Sequence, residues 1–238
     1  MHDKEQTLVE HLTELRERII KSLIALVIGV FIAVFVSQPI FKYIMEQAKA
    51  DGVQLIQYTF ADTFLTQLRL AIVLGLVLAF PVVLYQIVAF ILPALKPEEK
   101  RLLYIGLPFA TGLFLAGWAF GWFIVVPITK QFFLSIARSV EVVDAITPSN
   151  YVKFVLGICN PLGIAFELPL VVLILARIGL VTHQFLSRVR KYAFLALMIL
   201  AAVLSPPDVI SMTIFLVPLY GLYEFSIILA RFAAPKNQ

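Results

Sequence analysis

Glu167 is the acid most out of place in this sequence. It sits in Gly163-Ile164-Ala165-Phe166-Glu167-Leu168-Pro169, well inside an apolar run, where an ionised side chain costs several kcal/mol unless water or a partner reaches it. Two readings suit it: a neutral carboxyl hydrogen-bonded to a neighbouring helix, or an intramembrane functional group. Charged residues gather elsewhere at two places. Before the first apolar run, Glu10, Glu14, Glu17, Arg16 and Arg18 share a segment with Leu8, Leu12, Leu15 and Ile19 at helical spacing, which predicts an amphipathic helix lying along the membrane surface. Glu14 and Arg18 are four apart and suit a surface pair worth a few tenths of a kcal/mol. His11 beside Glu14 lacks the spacing and the second histidine of a zinc site. The other place is Pro93-Ala94-Leu95-Lys96-Pro97-Glu98-Glu99-Lys100-Arg101. Its two acids fit either the first turn of a following helix or, with Glu14, an anionic recess for a cationic ligand. Glu224 is read as snorkelling or pairing with Arg231.

The elements that carry these groups follow from composition. The 238 residues are 61% hydrophobic and 14% charged, with a mean hydropathy of +0.95, against about 25% charged in a soluble domain. This excludes a soluble protein and leaves no room for a second domain beside the spans. At roughly 20 residues per crossing, the apolar runs predict six transmembrane helices: 19–36, 64–92, 102–126, 152–176, 192–204 and 209–230. Lipid offers the backbone no hydrogen bonds and no run alternates as a barrel strand does, so each run is read as a helix and the fold as all-α. The expectation is one transmembrane domain over 1–238, preceded by the amphipathic segment 1–18 and followed by the tail 231–238. Of the 19 basic residues, thirteen fall on the side of the amino terminus and six on the other. The positive-inside rule then puts both termini in the cytoplasm of a multi-pass membrane protein. The first 18 residues lack the basic start and cleavage site of a secretory signal, so the amino terminus is expected to be retained.

Pro81, Pro161, Pro169 and Pro218 fall inside spans and favour kinks; kinked helices side by side predict a concave wall. The fifth and sixth spans are expected to be short, joined by Ser205-Pro206-Pro207-Asp208, and to thin the lipid or admit water near their tip. Gly117 and Gly121 make a small-xxx-small spacing, read as internal packing in preference to self-association, which is the other use of such a spacing. Trp118 and Trp122 suit an interfacial belt. Cys159, the single cysteine, reads as a small buried hydrophobe.

Four segments together carry a resemblance. His11-Leu12-Thr13-Glu14-Leu15-Arg16-Glu17-Arg18, then Phe90-Ile91-Leu92-Pro93-Ala94-Leu95 with Glu99-Lys100-Arg101, then Phe166-Glu167-Leu168-Pro169, then Ser205-Pro206-Pro207-Asp208 resemble, in order, the motifs of the TatC family, the multispanning core of the twin-arginine translocase. The resemblance implies a receptor in the cytoplasmic (inner) membrane that binds twin-arginine signal peptides of folded cargo. It would pass that cargo outward on the protonmotive force with the single-span partners TatA and TatB. On the same resemblance, Glu14 and Glu99 match signal-binding acids, with Arg16, Lys100 and Arg101 as basic neighbours. Glu167 matches a membrane-embedded acid that docks a partner helix, and Pro206, Pro207 and Asp208 match an outer turn in which Asp208 caps the last helix. Two departures, Gln47 where the family often has a proline in the first outer loop and Met212 where it often has a glutamine, bear on outer contacts.

The rival reading is a proton-coupled secondary transporter of a small solute, with Glu167 as its site, although no repeat relates the two halves of the chain as transporter folds commonly require. No paired catalytic acids, nucleophile with base or metal-ligand set lies in the spans, so an enzyme is not expected. Nothing in the sequence calls for a cofactor or for nucleic acid.

Overall fold

A computed structural model describes residues 8–91, 97–139, 145–177, 179–205 and 208–233, with side chains over 10–90, 106–139, 145–177, 179–205 and 208–231. Helices make up nearly all of it: α1 (Leu8–Ala50), α2 (Ala61–Ile91), α3 (Pro97–Phe120), α4 (Val126–Ser139), α5 (Pro148–Ala165), α6 (Leu168–Arg177), α7 (His183–Arg188), α8 (Arg190–Leu204) and α9 (Val209–Ala233). Strands β1 (Gln54–Leu55) and β2 (Ala145–Ile146) form a two-residue parallel pair. Five stretches of the described residues are long and apolar enough to cross a membrane: Glu10–Ala50, Ala61–Phe90, Gly106–Ser139, Pro148–Arg177 and Val209–Arg231. Large apolar side chains such as Phe31, Phe35, Phe123 and Val217 are exposed along them, as a lipid-facing surface requires and a water-facing one would not tolerate.

The chain forms two compact units. The first comprises residues 1–51 and 57–108, and the second 52–56 and 109–238. In the first, α1 and α2 pack as an antiparallel pair. The contact is closest at Gly29 and Gly75: a Cβ added to Gly29 would stand 2.5 Å from the Gly75 carbonyl oxygen, and one added to Gly75 would stand 2.5 Å from the Val30 Cα. Only hydrogen fits at these two positions. In the second unit α5 lies against α3, and the same logic holds at Gly117, whose added Cβ would meet the Phe166 ring at 2.6 Å, and at Gly121, which faces the Cys159 Cα at 3.0 Å. The Gly117 and Gly121 spacing thus serves packing inside the chain, as its sequence suggested.

Several boundaries differ from the sequence reading. The amphipathic segment is not a separate surface helix: it runs without a break into the span, since neither proline nor glycine occurs between Leu8 and Ile28, and α1 extends for 43 residues past Gly29 and Pro39. Gln47, expected in a loop, lies in the last turns of α1, where its Nε2 donates to the Tyr43 hydroxyl at 3.1 Å. The third run continues past residue 126 through a π-helical turn, Gly121–Val125, into α4. The fourth breaks at Phe166-Glu167 into α5 and α6. Of the last pair, α8 is the short one, with 15 residues or about 22 Å of helix against a core of about 30 Å. Helix α9 passes Pro218 and reaches 25 residues, a full crossing. Pro206 and Pro207 lie outside the described residues.

The two kinds of glycine give a stability test. Gly75→Ala forces a methyl into the Val30 backbone and is expected to destabilise the protein by about 1–3 kcal/mol, read as a lower midpoint of unfolding in detergent. Gly112→Ala, which meets nothing within 4 Å, is expected to stay within about 1 kcal/mol of the parent. Equal midpoints for the two variants would contradict the close crossing.

Candidate functional site: a guanidinium bridge on helix one and a buried acid in a helix break

The antiparallel register of α1 and α2 places the first group of residues. Arg18 lies 11 residues before Gly29 and Gln86 lies 11 residues after Gly75, so the two side chains stand level, about 16 Å of helix from the glycine contact. Arg18 bridges the gap with both ends of its fork. One terminal nitrogen donates to Gln86 Oε1 at 3.1 Å, and the other to Glu14 Oε1, also at 3.1 Å. The Glu14 and Arg18 side chains are 19% and 25% exposed, which shields the pair from solvent more than an ordinary surface pair, without burying it. Next to Glu14 along the helix, the His11 ring stacks on Phe90 with centroids 4.4 Å apart, using its face for packing. Arg16 points into the open, and Glu17 pairs loosely with Lys21 at 3.8 Å. Beside the bridge an apolar cavity of about 300 Å³ opens between the helices, lined by Leu15, Ile19, Leu23, Val83, Ile87 and Phe90.

Glu99, Lys100 and Arg101 fall in the opening turns of α3, which begins at Pro97; their side chains are outside the described part of the structure. The position suits the residues: proline is tolerated at the first helical residue, and Glu98 and Glu99 in the first turn complement the helix dipole.

Glu167 occupies the break between α5 and α6. The Glu167 amide closes a tight turn onto the Ile164 carbonyl at 3.0 Å, and the Glu167 carbonyl starts the next helix by accepting from Val171 at 3.0 Å. Pro169, two residues on, has no N–H to return to the Ala165 carbonyl, so the ladder is interrupted here. Phe166 packs against Gly117 and lies 5.7 Å from the Phe120 ring, which locks the break onto α3. The Glu167 residue is 8% exposed. Neither carboxyl oxygen makes a full hydrogen bond among the described residues, and the Phe114 backbone interacts with the carboxyl only weakly.

Asp208 and Glu224 each have a structural partner. Asp208 Oδ1 accepts from the Ser211 amide at 2.6 Å, capping α9 as its sequence position implied. Glu224 pairs with Arg190 at 2.9 Å and accepts from the Tyr220 hydroxyl at 2.9 Å. The sequence reading offers snorkelling or a pair with Arg231, and the packing of α8 on α9 supplies Arg190 instead. Two polar residues went unnoticed in the sequence: Gln86, and Asn160, whose Oδ1 accepts from Trp118 Nε1 at 3.0 Å. Both are uncharged polar residues inside apolar runs, which was the available signal. Trp118 therefore points its polar edge at a helix neighbour, beyond the interfacial role expected for it.

Residues 10–218 match the family described as Sec-independent protein translocase protein (TatC). The chain belongs to the TatC family. It is 41% identical over 238 residues to the TatC of Carboxydothermus hydrogenoformans, covering 100% of this chain and 98% of that one. It is 34% identical to TatCy of Bacillus subtilis, covering 100% and 94%, and 31% identical to the TatC of Escherichia coli, covering 98% and 91%. Its backbone is similar to a crystal structure described as the twin arginine translocase receptor TatC, with a TM-score of 0.83 at 33% identity over 94% of this chain and 99% of that one. The TatC family resemblance noted in the motifs thus extends over the whole chain, which is a multi-pass membrane protein.

An unpartnered acid in a helix break is a cost to the fold. Glu167→Leu, which removes the buried polar group and keeps comparable bulk, is expected to stabilise the detergent-solubilised protein by about 1–3 kcal/mol, measured as a raised midpoint of thermal unfolding. A lowered midpoint would mean that the carboxyl holds the break together.

Proposed function

We propose that this chain is the receptor and core subunit of a twin-arginine translocation system, set in the cytoplasmic (inner) membrane with both termini in the cytoplasm. It binds signal peptides carrying paired arginines on folded cargo and organises their export on the protonmotive force. The observation that carries this reading is the similarity over nearly its full length to a solved twin arginine translocase receptor. It is joined by Glu14, already seated against a guanidinium at the amino-terminal end of the first span. The excess of basic residues on that side supports the orientation.

The chemistry follows from shape. Two guanidiniums in tandem want two carboxylates, because each planar fork makes short, charge-assisted contacts that an ammonium cannot match. Glu14 and Glu99 are the proposed pair, with Arg16, Lys100 and Arg101 offsetting their mutual repulsion. At a partly exposed rim each contact contributes about 1 kcal/mol or less. Further affinity must come from apolar contacts, for which the cavity between Leu15, Ile19, Val83 and Phe90 is suited. A secretory leader presents this combination: a positive start followed by about 7–15 apolar residues. No cofactor or metal enters the scheme.

Glu167 is the proposed docking point for a partner helix, with TatA and TatB as the single-span partners. A carboxyl whose oxygens make no full hydrogen bond among the described residues of an apolar span is available to a polar group on an incoming helix, and one such contact fixes the register of two helices at about 0.6–2 kcal/mol. The fifteen-residue α8 is too short for an average bilayer and supports local thinning beside this region.

Glu14→Lys and Glu99→Lys are each expected to weaken capture of an Arg-Arg peptide roughly tenfold or more, since each replaces an attraction with a repulsion, while the helical content stays unchanged. Crosslinking of that peptide at the parental level by the double variant would overturn the assignment. Glu167→Ala is expected to keep peptide binding and to lose co-purification with single-span partners. Unchanged co-purification would remove Glu167 from the docking surface. Solute uptake by liposomes holding this chain alone would favour the transporter reading instead.

A further inference from the structure

We propose that Arg18 is an internal counter-ion at the signal site: it occupies Glu14 in the empty protein and must be displaced by an incoming guanidinium, so capture is an exchange instead of an addition. The proposal rests on the reading of Glu14 as a signal-binding acid and adds to it a residue that sets the threshold for binding.

Three observations carry it. Arg18 places the same chemical group that a twin-arginine leader would offer onto the same carboxylate, at 3.1 Å from Glu14 Oε1. Its other terminal nitrogen is held 3.1 Å from Gln86 Oε1, so the fork is anchored at both ends, across two helices. The pair is also only partly exposed, at 19% and 25%, so a cation cannot approach this oxygen of Glu14 freely while Arg18 stays in place. The bridge is strong enough to exclude weak ligands and weak enough to be opened. An i, i+4 pair on a helix changes an equilibrium constant by only about 1.4- to 2.3-fold, and the bond to Gln86, at the weak end for a partly exposed site, adds about two- to fourfold. When Arg18 swings away its head reaches water along a flexible stem, while Gln86 keeps its amide at the edge of the bilayer.

The consequence is quantitative. If only the fraction of molecules with Arg18 displaced can bind, the apparent dissociation constant is raised by the reciprocal of that fraction, here about three- to tenfold. That penalty is common to every ligand that needs Glu14. Arg18 therefore sets how strong a cation must be to enter, while the preference for arginine over lysine comes from the fork geometry at the carboxylates. A residue that read the leader directly would alter the preference as well.

The test measures binding of two labelled leader peptides, identical except for an Arg-Arg or a Lys-Lys pair, to the full chain in lipid nanodiscs. Arg18→Gln is expected to tighten both peptides by one common factor of about three- to tenfold and to leave their ratio unchanged. Arg18→Lys, whose single ammonium cannot span Glu14 and Gln86 together, is expected to show a smaller gain of the same kind, and it decides the matter if Arg18→Gln fails to fold. Lys21→Gln removes a neighbouring positive charge paired with Glu17 at 3.8 Å without emptying Glu14, and is expected to change binding by less than about twofold. The exchange is overturned if the Arg18 variants bind no tighter than the parent, if their Arg-Arg to Lys-Lys ratio changes, or if Lys21→Gln gives the same gain. Glu14→Gln separates the two levels of the argument: lost binding with no gain in the Arg18 variants defeats the exchange alone, whereas parental binding by Glu14→Gln defeats the signal site itself.

Discussion

Hydrocarbon accepts no hydrogen bonds, and this decides where every polar atom of the chain can be. In water an unpaired carboxylate or amide is solvated at no cost; inside a bilayer it must find a partner in the protein, reach the interface, or stay as a debt against stability. Most polar groups here take one of the first two routes. Ser22, Thr66 and Ser226 hydroxyls donate to carbonyls one turn back, Trp118 donates to Asn160, and Glu224 is held by Arg190 and Tyr220. A few buried polar atoms among the described residues lack a partner, including Thr129 Oγ1, Arg177 Nε, Asp208 Oδ2 and Ser211 Oγ, and in Glu167 both carboxyl oxygens do, which is the reason to attach function to it.

The same constraint shapes the α1 and α2 pair. With no hydrophobic force to drive helices together in lipid, close packing depends on small residues that let backbones touch, and Gly29 with Gly75 does this. Once the contact is fixed, the register along both helices is fixed too, which is why Arg18, Gln86 and the stack of His11 on Phe90 meet across sixty-odd to almost eighty residues of sequence. A charged group at the membrane boundary is thus positioned by two glycines roughly three helical turns away.

The sequence showed where apolar runs lie, and helices fill them, because periodicity and length are local properties. The acidic residues of interest were also legible, for different reasons: Glu167 stands out by its charge in apolar surroundings, whereas Glu14 and Glu99 lie in charge-dense segments and were singled out by the family resemblance. What was not legible depends on neighbours distant in the chain. Gln86 carries no charge and no motif, and acquires meaning only when Arg18 faces it. For Glu224 sequence proximity suggests only snorkelling or Arg231, but Arg190 arrives from another helix. The unbroken course of α1 was missed because a change from polar to apolar composition was taken for a boundary, although the backbone needs a proline, a glycine or a cap to end a helix. The division of the fourth run at Glu167 follows the opposite rule, with Pro169 marking it in advance.

The π-helical turn at Gly121–Val125, closed by the Val126 amide on the Gly121 carbonyl, has a geometrical effect on everything beyond it. Positions four apart on an ordinary α-helix precess by about 40° at each step, so Gly117, Gly121, Val125 and Thr129 would spiral through about 120° and could not all lie on one face. One surplus residue in the turn winds back about 100° of that drift. All four positions are in fact buried, so a line of small and medium side chains continues straight past the point where a regular helix would have turned it toward lipid. Deleting a single residue from this turn would restore ideal winding and, by doing so, rotate Thr129 and the rest of α4 out of alignment.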